Sequence, residues 1–100
     1  PYSRVALVRV DAVDEEEARG ACAELARVAR AAADATTGVD VLGPAPAPIT
    51  RIRGRHRFRL MVRSADRAPL RKVLLAVERA RGALPKTVRS AIDVDPVQLL

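Results

Sequence analysis

One hundred residues, 49% apolar and 30% charged, suffice for one small folded domain and are too few for a motor or a two-lobed ATPase. The longest unbroken apolar run, Val73–Val77, falls far short of the roughly 20 residues a membrane-spanning helix needs, and a single cysteine, Cys22, excludes a disulfide or structural-zinc scaffold. The net charge of +6 is unevenly divided: residues 1–50 hold five Arg against eight acids, and residues 51–100 hold thirteen Arg and Lys against four. A basic half of that size points to a polyanionic partner, although Arg and Ala abundance together also mark a GC-rich genome.

The chain opens on Pro1 with no signal or transit pattern, so it is expected to start at a domain boundary in a longer protein, with residues 1–100 as one domain. Arg4–Val10 reads as a strand with apolar residues of both parities, as in a central strand covered on both faces. Asp14 with Glu17 forms a capping box for a helix whose apolar face is Ala18, Ala21, Cys22, Leu25, Val28, Ala29 and Ala32, ended by Thr36–Gly38. Val39–Leu42 reads as a second short strand. In Gly43-Pro44-Ala45-Pro46-Ala47-Pro48 every second residue lacks a donor, which fits an edge strand or an extended linker.

Ile49–Arg63 is the longest extended candidate, interrupted at most at Gly54. Asp66 is expected to cap a second helix with Pro69 in its first turn and Leu70, Val73, Leu74, Val77, Ala80 and Leu84 as its stripe. Gly82 and Pro85 end it. Val88–Val94 alternates as a last strand. The order β-α-β-β-α-β predicts an α+β, ferredoxin-like sandwich: an antiparallel sheet with two helices on one face.

The chemistry-bearing feature is the run 51–63. Arg51, Arg53, Arg55, Arg57, Arg59 and Arg63 are all odd-numbered, whereas Ile52, Gly54, His56, Phe58, Leu60 and Val62 are even. On one unbulged strand this alternation places six guanidinium groups in a single row. Such a row is tolerable when solvated and favourable under a phosphate backbone. A charged edge that discourages sheet pairing and an acidic protein partner remain open as alternatives. Stacking on single-stranded bases lacks exposed aromatics, because Phe58 points inward by parity and Tyr2 is isolated.

Catalytic motifs are wanting. His56 has no carboxylate or second His nearby in sequence. Cys22 lies on a core stripe, and Gly38–Gly43 has phosphate-loop spacing with Pro44-Ala45 where Lys-Ser/Thr is required. Asp93 and Asp95 share a face and suit salt bridges better than a metal. Lys86 and Arg89 read as isolated surface charges. No catalytic or metal site and no cofactor are expected in this chain.

The segment Val41–Ile49 followed by an Arg-rich strand resembles the C-terminal domain of the bacterial primosomal protein N′ family, the replication-restart helicase PriA. Pro1–Leu7 and the ending Ile92-Asp93-Val94-Asp95-Pro96-Val97-Gln98-Leu99-Leu100 are similar to the two ends of that domain. The resemblance implies a fold like that of a small-subunit ribosomal protein. It also implies a non-catalytic accessory domain that binds branched or single-stranded DNA at stalled replication forks and packs on a helicase core. ATP, magnesium and zinc would serve other parts of that ATP-dependent helicase. Single-strand-binding protein and other primosome proteins are implied as partners, and a bacterial cytoplasmic, nucleoid-associated location follows. The family often has Tyr where His56 stands and Gln where Arg59 stands, so no family contact is carried to those two positions. The alternative is a protein- or RNA-interaction module of the same fold.

Overall fold

The computed structural model describes residues 4–94. The elements run β1 (Arg4–Ala12), α1 (Glu15–Asp34), β2 (Val39–Ile52), β3 (Arg55–Ser64), α2 (Arg67–Arg81) and β4 (Val88–Val94). They form one four-stranded sheet in the order β2-β3-β1-β4, with every neighbouring pair antiparallel. This is the ferredoxin-like α+β arrangement expected from the element order. Pro1, Tyr2 and Asp95 lie outside the described residues.

Helix α1 starts where the capping chemistry puts it: the Glu17 amide donates to Asp14 Oδ2 at 2.9 Å. The Glu17 carboxylate is engaged elsewhere, accepting from Thr87 Oγ1 at 3.2 Å. Its buried face is Ala18, Ala21, Cys22, Leu25, Ala26 and Ala29. The small side chains bring the helix close to the sheet, where Ala6, Val8, Val10, Ala12, Phe58, Leu60 and Val62 meet it. Leu70, Val73 and Val77 of α2 complete this core. Burial of Cys22 pushes its thiol up to about 12, because the thiolate would lose its hydration.

Asp66 departs from expectation. Its backbone is extended, as an N-cap requires, yet its side chain makes no cap hydrogen bond. Pro69 occupies the third helical position and has no amide proton to offer, and the Asp66 amide itself donates to the buried Ser64 Oγ at 3.1 Å.

The segment Ile49–Arg63 is not one strand. It turns at Arg53-Gly54, so Ile49–Ile52 ends β2 and Arg55 starts β3. Positive φ at both Arg53 (52°) and Gly54 (77°) is the type I′ geometry of a two-residue hairpin. Likewise Val39–Leu42 is not a separate strand but the start of a 14-residue edge strand that carries Pro44, Pro46 and Pro48. The Gly43-Pro44 peptide is cis, and Gly43 sits at φ 108°. Its missing Cβ would lie 2.9 Å from the Arg59 carbonyl oxygen on β3. Among the described residues no helix is long and apolar enough to cross a membrane.

Candidate nucleic-acid interface

Both helices cover one face of the sheet, so the odd-numbered residues of β3 lie on the other, open face. Directly opposed antiparallel residues share a face, and the register therefore lays that surface out row by row. The first row is Asp40, Arg63 and Val5. The second is Leu42, Met61, Leu7 and Asp93, the third Ala45, Arg59, Arg9 and Ala91, and the fourth Arg57, Asp11 and Arg89. Arg55 and its partner Ile52 follow, next to the hairpin turn. One end of the face thus carries an apolar patch of Val5, Leu7, Leu42 and Met61 beside the Asp40–Arg63 pair, and the other end is basic. β1 is central, as its doubly apolar pattern predicts, but only its even-numbered face is covered by helices.

The six arginines do not form a single row. Arg55, Arg57, Arg59 and Arg63 line one face of β3. Arg53 occupies the turn, and Arg51 is registered with His56, on the opposite side of the sheet. The cause is the two-residue turn at Arg53-Gly54: it pairs Ile52 with Arg55, so odd-numbered Arg51 comes to oppose even-numbered His56.

The row is also partly neutralised from within. Arg55 Nε is paired with Asp11 Oδ1, and its Nη2 donates to the Thr87 carbonyl at 3.2 Å; its side chain is only 18% exposed. Arg63 pairs with Asp40 at 3.4 Å. Arg57 spends one donor on the Ile49 carbonyl at 2.9 Å and keeps the others. Arg9, which sequence reasoning passed over, stands directly opposite Arg59 and reaches Asp93 at 2.8 Å in an exposed pair. Asp93 thereby takes the salt-bridge role expected of it. Arg89, read as an isolated charge, lies on this same face opposite Asp11. The alternation of β1 and β4 carries the signal for both, once the strand order is known.

Around Arg59 the charges gather. A notch of about 70 Å³ opens between Arg9, Arg57, Arg59 and Asp11, with Ala47 and Pro48 at its side. Three guanidinium groups border it and one carboxylate does. Like charges directly opposed across two strands destabilise a sheet, and a bound anion reverses the sign of that term. Beyond the notch runs the hairpin arm: from Val41 to Ala65 there is no Asp or Glu and there are six Arg. At its tip Arg53 holds a left-handed backbone conformation that costs an L-residue other than Gly or Asn roughly 1 kcal/mol.

A second basic surface lies on the helix side, where α2 leaves a groove of about 580 Å³ beside β4. Leu70, Leu74 and Ile92 contribute to its apolar lining, and Arg4, Arg67, Arg71 and the Arg81–Glu78 pair give its charge. Arg67 and Arg71 are four residues apart on α2, a spacing visible in the sequence but unused in the reading of the helix stripe.

His56 is half-buried on the helix-facing side. Phe58 is buried, as its parity predicts, and the Arg19 guanidinium lies 5.2 Å from its ring centre. Among the described residues no cluster of three or more His, Cys, Asp or Glu could hold a metal ion.

Residues 1–97 match the family model for the primosomal protein N C-terminal domain. The chain belongs to this family. It is 34% identical over 99 residues to the replication restart protein PriA of Synechocystis, covering 99% of this chain and 11% of that protein. It is 29% identical to the replication restart protein PriA of Haemophilus influenzae, again over 99% of this chain and 13% of the relative. The chain therefore spans about a tenth of the length of these curated relatives. Among solved structures, a dimeric ferredoxin-like protein from an uncultured marine organism superposes with a TM-score of 0.58 at 12% identity, covering 94% of this chain and 86% of that one. That likeness supports the fold alone.

Proposed function

We propose that this domain is a non-catalytic DNA-contacting element of a replication restart protein, and that it grips the phosphate backbone of branched DNA with the basic end of its open sheet face. The observation that carries the reading is the Arg9–Arg59 opposition beside Arg57: three guanidinium groups around one notch, at the root of an acid-free hairpin. Such an array recognises phosphate by charge and bidentate geometry, with no means of reading bases. The apolar end of the same face, with Leu7, Leu42 and Met61, suits packing against the helicase core of a longer chain. ATP, magnesium and zinc chemistry we assign to other parts of such a protein, acting at the bacterial nucleoid in the cytoplasm. Fluorescence anisotropy with fork, duplex and single-stranded DNA across a salt series tests the reading. Submicromolar, steeply salt-dependent fork binding supports it. Salt-insensitive binding, or a preference for RNA of the same shape, refutes it.

The groove beside α2 favours a further, compatible role. Its four arginines, of which Arg81 is paired with Glu78, above an apolar floor suit a short acidic segment with an apolar anchor, presented by a partner protein. Single-strand-binding protein is the partner that the family resemblance suggests.

A further inference from the structure

The hairpin tip combines features that phosphate contact alone does not require. Ile49 is 60% exposed and Ile52 is 42% exposed, beside Arg51 and Arg53. Ile52 is registered with Arg55, so it lies on the open face in line with Arg57 and Arg59. A strand of nucleic acid gripped by those arginines and followed towards the tip would meet an apolar side chain rather than another charge. Arg53 is held in a left-handed conformation for which Asn or Gly would serve better, and among the described residues it forms no hydrogen bond or ion pair. The arm is also a poor template for another β-strand, because Pro44, Pro46 and Pro48 remove donors along the edge of β2.

We propose that the tip of the β2–β3 hairpin is a wedge for the branch point of forked DNA. Ile52, assisted by Ile49, packs against the base pair exposed at the junction, and Arg51 and Arg53 hold the phosphates of the diverging strands. Apolar side chains that enter or cap base steps exchange stacking for apolar contact, and an open junction supplies a step already partly unstacked. An unbranched duplex offers no such surface, so the wedge confers structure selectivity where the arginine face confers affinity. The inference rests on the phosphate-contact reading above.

The test uses the 100-residue chain, a fork carrying 2-aminopurine at the branch-point base, and an unbranched duplex of equal length. The wild type is expected to bind the fork about fivefold more tightly than the duplex and to brighten the 2-aminopurine. The Ile49→Ser, Ile52→Ser pair should lose both the preference and the brightening while keeping its duplex affinity and salt slope. Both side chains are largely exposed, so its melting temperature should match the wild type. Arg53→Asn supplies a second readout: it should raise the melting temperature by relieving the turn while weakening fork binding. A double-Ser variant that retains the fork preference and the fluorescence change overturns the wedge and leaves the phosphate reading standing. A wild type that binds no DNA at low salt overturns both.

Discussion

Replacing Arg57 and Arg59 together by alanine should flatten the salt dependence of DNA binding by half. Of the six arginines in 51–63, Arg55 is committed to Asp11 and the Thr87 carbonyl, Arg63 is paired with Asp40 and Arg51 faces the other side, which leaves Arg53, Arg57 and Arg59, joined by Arg9 opposite Arg59, as four phosphate contacts on this side. At about 0.9 counterions released per neutralised phosphate, four contacts give a log–log slope near −3.6. Raising salt from about 50 to about 200 mM would then weaken the wild type roughly 150-fold. With two contacts removed the slope falls to about −1.8, and the same change in salt costs only about 12-fold. The assay is anisotropy on a labelled fork at five or more salt concentrations. Both side chains lie on the sheet face away from the core, so the melting curve of the variant should stay within a few degrees of the wild type. An unchanged slope in a folded double variant would refute the assignment of the open face as the phosphate surface.

Asp11→Asn should release Arg55 and steepen the slope by up to about 0.9 while lowering stability by about 1 kcal/mol, measured by the same salt series and by urea unfolding. Gly43→Ala should cost about 3 kcal/mol, because φ 108° is closed to alanine and its Cβ would press on the β3 backbone. For a chain of this size that lowers the melting temperature by about 15 °C, and a shift under about 5 °C would contradict the strand approach. Cys22 is raised from 9.0 to about 12, so the stability from its neutral buried thiol is fully present below pH 9 and is lost as pH climbs towards 12. Unfolding at pH 8 and pH 11 should show a decline that Cys22→Ala lacks. Arg67→Glu with Arg71→Glu should abolish binding of an acidic, apolar-ended peptide to the α2 groove while leaving the fork salt slope within about 0.9 of the wild type.

The β-α-β-β-α-β order, the α1 cap and both core stripes were legible because each depends on neighbours within a few residues: a carboxylate three positions from an amide, or apolar residues at helical spacing. The arginine row failed for the opposite reason. Alternation along a sequence predicts a common face only while one strand continues, and here the chain reverses at Arg53-Gly54, so that Arg51 opposes His56 instead of sharing a face with Arg55. The turn itself was hidden because Arg53-Gly54 lacks the Asn-Gly or Asp-Gly signature of its geometry. The acids that neutralise Arg55 and Arg63, Asp11 and Asp40, stand 44 and 23 residues away in sequence. Only the strand order brings them, and Arg9, alongside.

The irregular edge strand has a consequence for the interface as well as for the register. From Leu42 to Ile52 β2 takes ten residue steps, while β3 takes six between their partners Met61 and Arg55. The four surplus residues are absorbed around Pro44, Pro46 and Pro48, where a regular ladder would have required amide donors. Ile52 shares the face of Leu42, alongside Arg57 and Arg59, because both are registered with odd-numbered residues of β3. The two-residue turn fixes these faces from the β3 side, pairing Ile52 with Arg55 and Arg51 with His56, and the surplus is taken up between that paired tip and Leu42. Deleting one residue of the 44–48 segment would strain the edge that leads to the tip but leave Arg57 and Arg59 in a strand held by β1, so it should cost more in fork selectivity than in overall DNA affinity. An equal loss of fork and duplex affinity in a folded deletion variant would show that the tip and the arginine face do not act as separate parts.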